Sequence, residues 1–291
     1  MTVLLERGWA LAVHGGAKEI EPGEEAANRR GCARALDAGR AVLERGGAAV
    51  DAVEAAVRVL EDDPTFNAGY GSALNEAGEV EMCAAVMSGR DLAVGAVGVI
   101  KGVRNPVGVA RLLVAERAIL VAGDGARQFA IERGATLCDP RDLVVEKQRV
   151  SLKEHDTVGA VALDTSGNIA TATSTGGLPG APVGRMADSS LPGCGYYADN
   201  AVGALALSGD GESIARLAIA SEVMRLMPET GPARALELAL SRLPHLGGDG
   251  GGIAIRKDGA VGWWHNSPHF AVAVATAGDP DGRVWLSKDE A

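Results

Sequence analysis

Aromatic residues are scarce in this chain: three Phe, four Trp and three Tyr among 291 residues. Few flat side chains are therefore on offer for bases or sugars to stack on. Positive charge is short as well. Lys and Arg number 28 against 38 Asp and Glu, a formal net charge of −10, the reverse of the basic face a nucleic-acid partner needs. No apolar run approaches the ~18 residues of a membrane span. The stretch from Met1 to Gly16 lacks the basic segment and apolar core of an export signal. The expectation is a soluble, cytoplasmic protein with no nucleic-acid or membrane partner. The four cysteines, Cys32, Cys83, Cys138 and Cys194, lack metal-site spacing and read as reduced thiols rather than a disulfide framework.

Glycine is plentiful: 40 residues, about twice the usual ~7%, so many backbone positions turn tightly or approach a neighbour closely. An apolar share of 47% is ordinary for a globular chain, and the length suffices for a sizeable core. Trp9 to Val13 reads as a buried strand ending in a turn at His14-Gly15-Gly16-Ala17. Helical spacing follows over Glu24 to Gly46 (Cys32, Leu36, Gly39, Leu43) and again through Val50, Val53, Val57 and Leu60. Asp62-Asp63-Pro64 ends that second helix as a solvated turn, and Asn67 to Ser72 is a loop. Val94 to Ile100 is strand-like, and Asn105-Pro106 opens a third helix. From Leu137 to Glu154 the chain turns polar and reads as a linker. Val158–Leu163 and Ile169–Thr175 flank Asp164 to Asn168 as a hairpin. Helices near Glu212–Leu226 and Pro232–Leu243 come next, then a hairpin of Gly252–Ile255 and Ala260–Trp264, then Phe270–Ala277 and Val284–Leu286. Strands, helices and strands in each half point to an α+β protein with two stacked sheets covered by helices.

The chemistry concentrates at His155-Asp156-Thr157-Val158-Gly159. A threonine heads an apolar strand directly after an Asp that no regular element needs. A threonine hydroxyl is a weak nucleophile without an adjacent base, and its own α-amino group supplies one once it is a chain terminus. The free amine, with a pKa near ~8, is readily available at neutral pH. Attack of Thr157 on the Asp156 carbonyl would give an ester that water resolves, leaving hydroxyl and amine on one residue. A plain strand start, where β-branched residues are common, is the alternative.

Neighbouring motifs carry a resemblance. His14-Gly15-Gly16-Ala17, Phe66-Asn67-Ala68-Gly69, Thr173-Ser174-Thr175-Gly176-Gly177, Gly184-Arg185-Met186-Ala187-Asp188, Gly209-Asp210-Gly211-Glu212 and Gly247-Gly248-Asp249-Gly250-Gly251 stand in the order of the plant-type asparaginases, or isoaspartyl peptidases. This resemblance implies the four-layer αββα sandwich of the N-terminal nucleophile hydrolases. It also implies self-cleavage between Asp156 and Thr157, into an α subunit of residues 1–156 that ends in a linker (about 137–156) and a β subunit of 157–291, the two forming one domain.

By the same resemblance Thr157 is the nucleophile and Thr175 lies against it. Ser208 and the N–H of Gly209 form the oxyanion hole, which Ser, lacking the methyl of the usual Thr, should leave looser. Arg185 offers a planar fork to the substrate's α-carboxylate, Asp188 accepts from its α-ammonium with carbonyls near Gly209 and Gly211, and Asn67 supports the nucleophile. An isolated Arg185–Asp188 pair could otherwise be an ordinary i,i+3 ion pair. Backbone carbonyls of Leu60, Glu61, Asp63, Phe66, Ala68 and Tyr70 match a loop that rings a structural sodium ion in relatives, suited to a hard cation. No cofactor for catalysis is implied. The partners expected are small-molecule substrates, L-asparagine and isoaspartyl peptides, in a homodimer of precursors or of cleaved heterodimers.

The chain departs from the family's pattern in three further places. Asp156 stands where asparaginase-type relatives usually carry Gly, and Asp-Thr is the pattern of the glycosylasparaginases, so hydrolysis of an Asn–sugar bond is an alternative activity. Met82-Cys83-Ala84 and Met87-Ser88-Gly89 each lack a usual Asp. A catalytically dead homologue is a further reading. A nucleotide-binding module, suggested by the glycines at Gly123 to Gly125, Gly209 to Gly211 and Gly247 to Gly252, matches no phosphate-loop pattern.

Overall fold

The computed structural model describes residues 2–3, 8–145 and 156–290. Residues 146–155, half of the linker expected over about 137–156 and including His155, lie outside the described residues.

Among the described residues, thirteen strands form two sheets. In chain order they are β1 (Thr2–Val3), β2 (Ala10–Lys18), β3 (Met82–Ser88), β4 (Val94–Ile100), β5 (Leu120–Ala122), β6 (Val158–Leu163), β7 (Ile169–Thr175), β8 (Tyr196–Asp199), β9 (Gly203–Gly209), β10 (Gly250–Arg256), β11 (Val261–His265), β12 (His269–Thr276) and β13 (Asp279–Trp285). One sheet runs β13-β12-β2-β6-β7-β3-β4-β5 and the other β1-β11-β10-β9-β8. Helices α1 (Glu25–Glu44), α2 (Ala49–Glu61), α3 (Pro106–Leu113) and α4 (Gly123–Glu132) precede Thr157; α5 (Gly211–Leu217), α6 (Ile219–Thr230) and α7 (Pro232–Leu240) follow Asp156.

Strand alternation builds the layers. In β2, Leu11 and Val13 join the core under α1 and α2, where Leu36, Leu43, Val53, Val57 and Leu60 pack, while Ala10 and Ala12 face the second sheet. In β9, Leu205 and Leu207 turn towards Val223, Met227 and Leu236 of α6 and α7, while Ala204 and Ala206 face inward. Three apolar layers between helices, sheet, sheet and helices make the four-layer αββα sandwich that the sequence led us to expect. The small residues on the facing surfaces are buried completely, so the two sheets approach closely around Thr157.

Local details follow from the residues. The α2 N-terminus has no cap of its own, and the Asp164 carboxylate in the β6–β7 turn accepts from Ala49 N–H at 3.1 Å, satisfying a donor that a helix start leaves open. The same Asp164 accepts from Ser166 and Asn168 N–H, both at 2.9 Å, which closes the hairpin turn.

Several expectations need correction. The strand expected to stop at Val13 continues through His14-Gly15-Gly16-Ala17 to Lys18, because His14 pairs with Gly159 on one side and Val272 on the other; the segment is not a turn. The helix expected over Glu212–Leu226 breaks at Ala218, which sits at φ 49° and separates α5 from α6. The turn suggested at Gly123-Asp124-Gly125 is the first turn of α4.

Candidate active site

The N-terminal end of β6 brings the candidate residues together. Thr157 precedes β6, Thr175 ends β7, and Ser208 and Gly209 end β9. Cross-strand pairing of Val158 with Ser174 and of Gly159 with Thr173 sets the ends of β6 and β7 side by side, and the end of β9 meets them from the facing sheet, where Ser208 reaches Thr157 N–H. A narrow cleft is lined by Cys83, Asp156, Thr157, Thr175, Arg185, Asp188, Gly209 and Gly211, among others.

The Asp156–Thr157 peptide is held at both ends. The Thr175 hydroxyl donates to the Asp156 carbonyl at 3.1 Å, and Thr157 N–H donates to Ser208 Oγ at 3.0 Å. Thr175 thus touches the carbonyl before Thr157, and the described partner of the Thr157 hydroxyl is Ser189 Oγ at 2.9 Å. Ser189 was not singled out from the sequence. Its only signal there is adjacency to Asp188, and its strand-free position gives no pattern to read.

Ser208 Oγ also accepts from Ala17 N–H at 2.9 Å. With two N–H groups on its oxygen, the hydroxyl's own proton is left to point along a third direction. The looser rotamer expected of Ser at this position does not follow here, since two hydrogen bonds fix a fully buried side chain. Gly209 pairs with Gly250 across the sheet at φ 139°.

Asn67 acts as a brace. Its side-chain carbonyl accepts from Ala73 N–H at 2.7 Å, its amide donates to Gly177 O at 2.7 Å, and its own backbone carbonyl accepts from Gly176 N–H at 2.8 Å. The loop of residues 67–73 is thereby locked to the turn after β7.

Arg185 and Asp188 do not form the ordinary i,i+3 pair. The Arg185 fork instead grips Glu212 through Nε at 2.8 Å and Nη2 at 2.6 Å. The Asp188 carboxyl is buried at the start of a short helical turn, Asp188–Ser190, and the cleft runs past it. Burial lifts its pKa to about 7, with Arg185 pulling the other way. His14, stacked on Phe270 at 5.2 Å between ring centres, is held neutral: burial drives its pKa down to about 3, against a smaller upward pull from the Thr157 backbone.

Sequence reasoning also missed Lys18, at the end of β2. Its ammonium lies 2.5 Å from the Asp156 carboxylate, both side chains almost wholly buried, and donates to Thr65 O at 3.2 Å. A lysine at a strand end ordinarily reads as solvated, and its partner is remote in sequence.

Leu60, Glu61, Asp63, Phe66, Ala68 and Tyr70 fall at the end of α2 and in the loop after it. Gly71, at φ 114°, has room only for a hydrogen where a Cβ would lie 2.8 Å from Phe66 O and 3.0 Å from Pro64 O. The carbonyls of Leu60 and Asp63 accept from Asp63 N–H at 3.3 Å and Phe66 N–H at 3.1 Å, so these oxygens are engaged within the loop itself. Glu61 O already accepts from Tyr70 N–H at 2.7 Å, and a carbonyl retains a second lone pair. Asp62 and Asp63 pair with Arg104 and Arg34. Among the described residues, no three His, Cys, Asp or Glu side chains cluster as metal ligands, and no helix is long and apolar enough to cross a membrane.

A four-layer αββα sandwich with a threonine heading a central strand at the mouth of the cleft is the arrangement of the N-terminal nucleophile hydrolases. The asparaginase family model matches residues 7–155 and 145–281. The chain is 42% identical over 260 residues to the isoaspartyl peptidase/L-asparaginase of Rattus norvegicus, covering 82% of this chain and 78% of that protein. It is 41% identical over 286 residues to that of Bos taurus, 90% and 92% of the two chains. With the protein of the same name from Homo sapiens it shares 40% identity over 284 residues, again 90% and 92%. The chain belongs to the asparaginase family.

Proposed function

We propose that the chain is an autoproteolytically activated threonine amidohydrolase that opens β-aspartyl amides, L-asparagine and isoaspartyl dipeptides. The observation that carries this reading is the Asp156–Thr157 peptide, held by Thr175 on its oxygen and Ser208 on its nitrogen, on the wall of a cleft shared with Arg185 and Asp188. The names of its relatives, isoaspartyl peptidase/L-asparaginase, support the substrate class.

In self-cleavage, Thr157 Oγ attacks the Asp156 carbonyl carbon while the Thr175 hydroxyl donates to the developing oxyanion. The proton lost from the Thr157 hydroxyl ends on the nitrogen, which leaves as the amine of Thr157, and water hydrolyses the ester. Residues 1–156 and 157–291 then form the two subunits of one domain. In turnover, the Thr157 amine takes the proton of its own hydroxyl. Arg185 receives the α-carboxylate, and ionised Asp188 receives the α-ammonium beside Gly211. The β-carbonyl carbon is attacked, its oxyanion facing the Ser208 hydroxyl and Gly209 N–H. Ammonia or an amino acid leaves, and water releases aspartate. A sodium ion on the loop of Leu60 to Tyr70, a homodimeric assembly and a cytoplasmic location complete the reading. Oxygen-only donation by that loop's backbone would suit a hard cation, and four unpaired cysteines fit a reducing compartment.

The test is intact mass over several days at neutral pH, beside a Thr157→Ala protein. Two fragments summing to the whole plus one water, with Thr157 at the new terminus, support the reading. Equal asparagine hydrolysis by both proteins refutes it. Preference for glycosylated over free asparagine would move the assignment to Asn–sugar hydrolysis, the activity that Asp156 before Thr157 favours.

A further inference from the structure

The residue before the scissile bond is an aspartate with its side chain inside the protein. A carboxylate removed from water is costly unless it is paired and hydrogen-bonded. Here Lys18 Nζ stands 2.5 Å from Asp156 Oδ2, with relative exposures of 2% and 0% for the two side chains, and Asn67 N–H donates to Oδ1 at 3.2 Å. The same ammonium donates to Thr65 O and lies 5.8 Å from the centre of the Phe66 ring. The Asp156 side chain is thus seated between the end of β2 and the loop of residues 65–67. The seat is tight: at Gly16 (φ 108°), a Cβ would come within 2.3 Å of Asp156 Cβ.

Residue 156 is therefore fixed at two points, its side chain by Lys18 and Asn67 N–H and its carbonyl by Thr175. Without the cation, the buried carboxylate is relieved by taking up a proton or by moving towards water, and in moving it carries the carbonyl that Thr157 must attack. We propose that Lys18 is a positioning residue for self-cleavage, its ammonium anchoring the Asp156 carboxylate so that the scissile carbonyl stays in front of the Thr157 hydroxyl. This rests on the self-cleaving reading above. It adds a requirement specific to a chain with Asp rather than Gly before the nucleophile: the cation is needed because the anion is there.

The experiment follows cleavage of full-length protein by intact mass, for the parent, Lys18→Met, Lys18→Arg, Asp156→Asn and the double variant Lys18→Met/Asp156→Asn. Thermal unfolding of each uncut chain reports folding. Lys18→Met should cleave about 100-fold more slowly, since removing one partner of a buried pair costs enough to displace residue 156 in most molecules. Lys18→Arg should restore most of the rate. The double variant should cleave within a few-fold of Asp156→Asn alone, because with no buried carboxylate the cation has nothing to anchor.

Parent-like cleavage by Lys18→Met overturns the proposal. So does a Lys18→Met effect of the same size in both backgrounds, which would mean that Lys18 acts by packing. If Lys18→Met does not fold, the comparison of the double variant with Asp156→Asn decides alone: a deficit of ten-fold or more in the double variant rejects the role. A parent that never cuts refutes the self-cleaving reading itself. A parent that cuts while Lys18→Met cuts equally well leaves that reading standing and removes only this proposal.

Discussion

Thr175→Val is the most incisive perturbation of the self-cleavage step. Valine keeps the β-branched shape in a buried strand end, so the core is retained, and the variant loses only the hydroxyl. Two hydrogen bonds go with it: the donor to Asp156 O at 3.1 Å and the acceptor for Gly177 N–H at 3.1 Å. In the resting precursor each is a neutral bond of ~1 kcal/mol, so stability should fall by about 1–2 kcal/mol, a Tm shift of only a few degrees in a chain of this size. In the transition state of the acyl shift the carbonyl oxygen carries charge, and loss of one oxyanion donor costs about 100- to 1000-fold. The effect on rate should therefore far exceed the effect on stability. Cleavage is followed by intact mass, beside Thr175→Ser, which keeps the hydroxyl and should stay within about ten-fold of the parent. A valine variant that cuts within three-fold of the parent would refute the assignment of Thr175 as the donor.

The remaining predictions concern the cleaved enzyme. Ser208→Ala should lower kcat for asparagine about 100- to 1000-fold with little change in KM, as for a group that binds the oxyanion alone; a rise in KM at constant kcat would place Ser208 in substrate binding instead. Asp188, with its pKa raised to about 7, is neutral below that value and a carboxylate above it. The kcat/KM should thus rise through about pH 7, and Asp188→Asn should remove that limb along with most activity; a flat profile from pH 6 to 8 would contradict this. Glu212→Gln should lower KM by up to about five-fold, since the fork it grips is the one a substrate carboxylate needs, and an exposed pair of this kind is worth ~1 kcal/mol or less. That gain should shrink at high salt, and an unchanged KM would show that Glu212 does not compete.

Much of the architecture was legible in the sequence where periodicity was clean. The β6–β7 hairpin showed itself through alternation around an Asp–Asn turn, and α2 through Val53, Val57 and Leu60. Strands β1, β3, β5, β8 and β9 and helix α4 were not read. Met82–Ser88 and Gly203–Gly209 are buried on both faces, so polar residues do not alternate along them, and alanine has little strand preference of its own. The motif residues Thr157, Thr175, Arg185, Asp188, Gly209 and Gly211 do line one cleft, with Ser208 buried against the Thr157 N–H. Their connections were not readable: that Arg185 answers to Glu212, that Ser208 takes two N–H donors, and that Lys18 seats Asp156. Such pairings depend on which strand ends meet, and strand order joins residues far apart in the chain.

The interleaving of the larger sheet has a thermodynamic consequence. Reading across it, β13 and β12 come from after Thr157, β2 from before it, β6 and β7 from after, and β3, β4 and β5 from before. A cut between residues 156 and 157 thus divides the sequence without dividing the sheet, and each piece keeps strands that only the other can flank. The uncut chain folds as a first-order process at any dilution. After the cut, unfolding releases two molecules, and recovery becomes second order, failing as concentration falls. Self-cleavage would then convert a reversible folder into one whose native state is held by kinetics, so that the enzyme's working lifetime is set by the single fold it made before it cut itself.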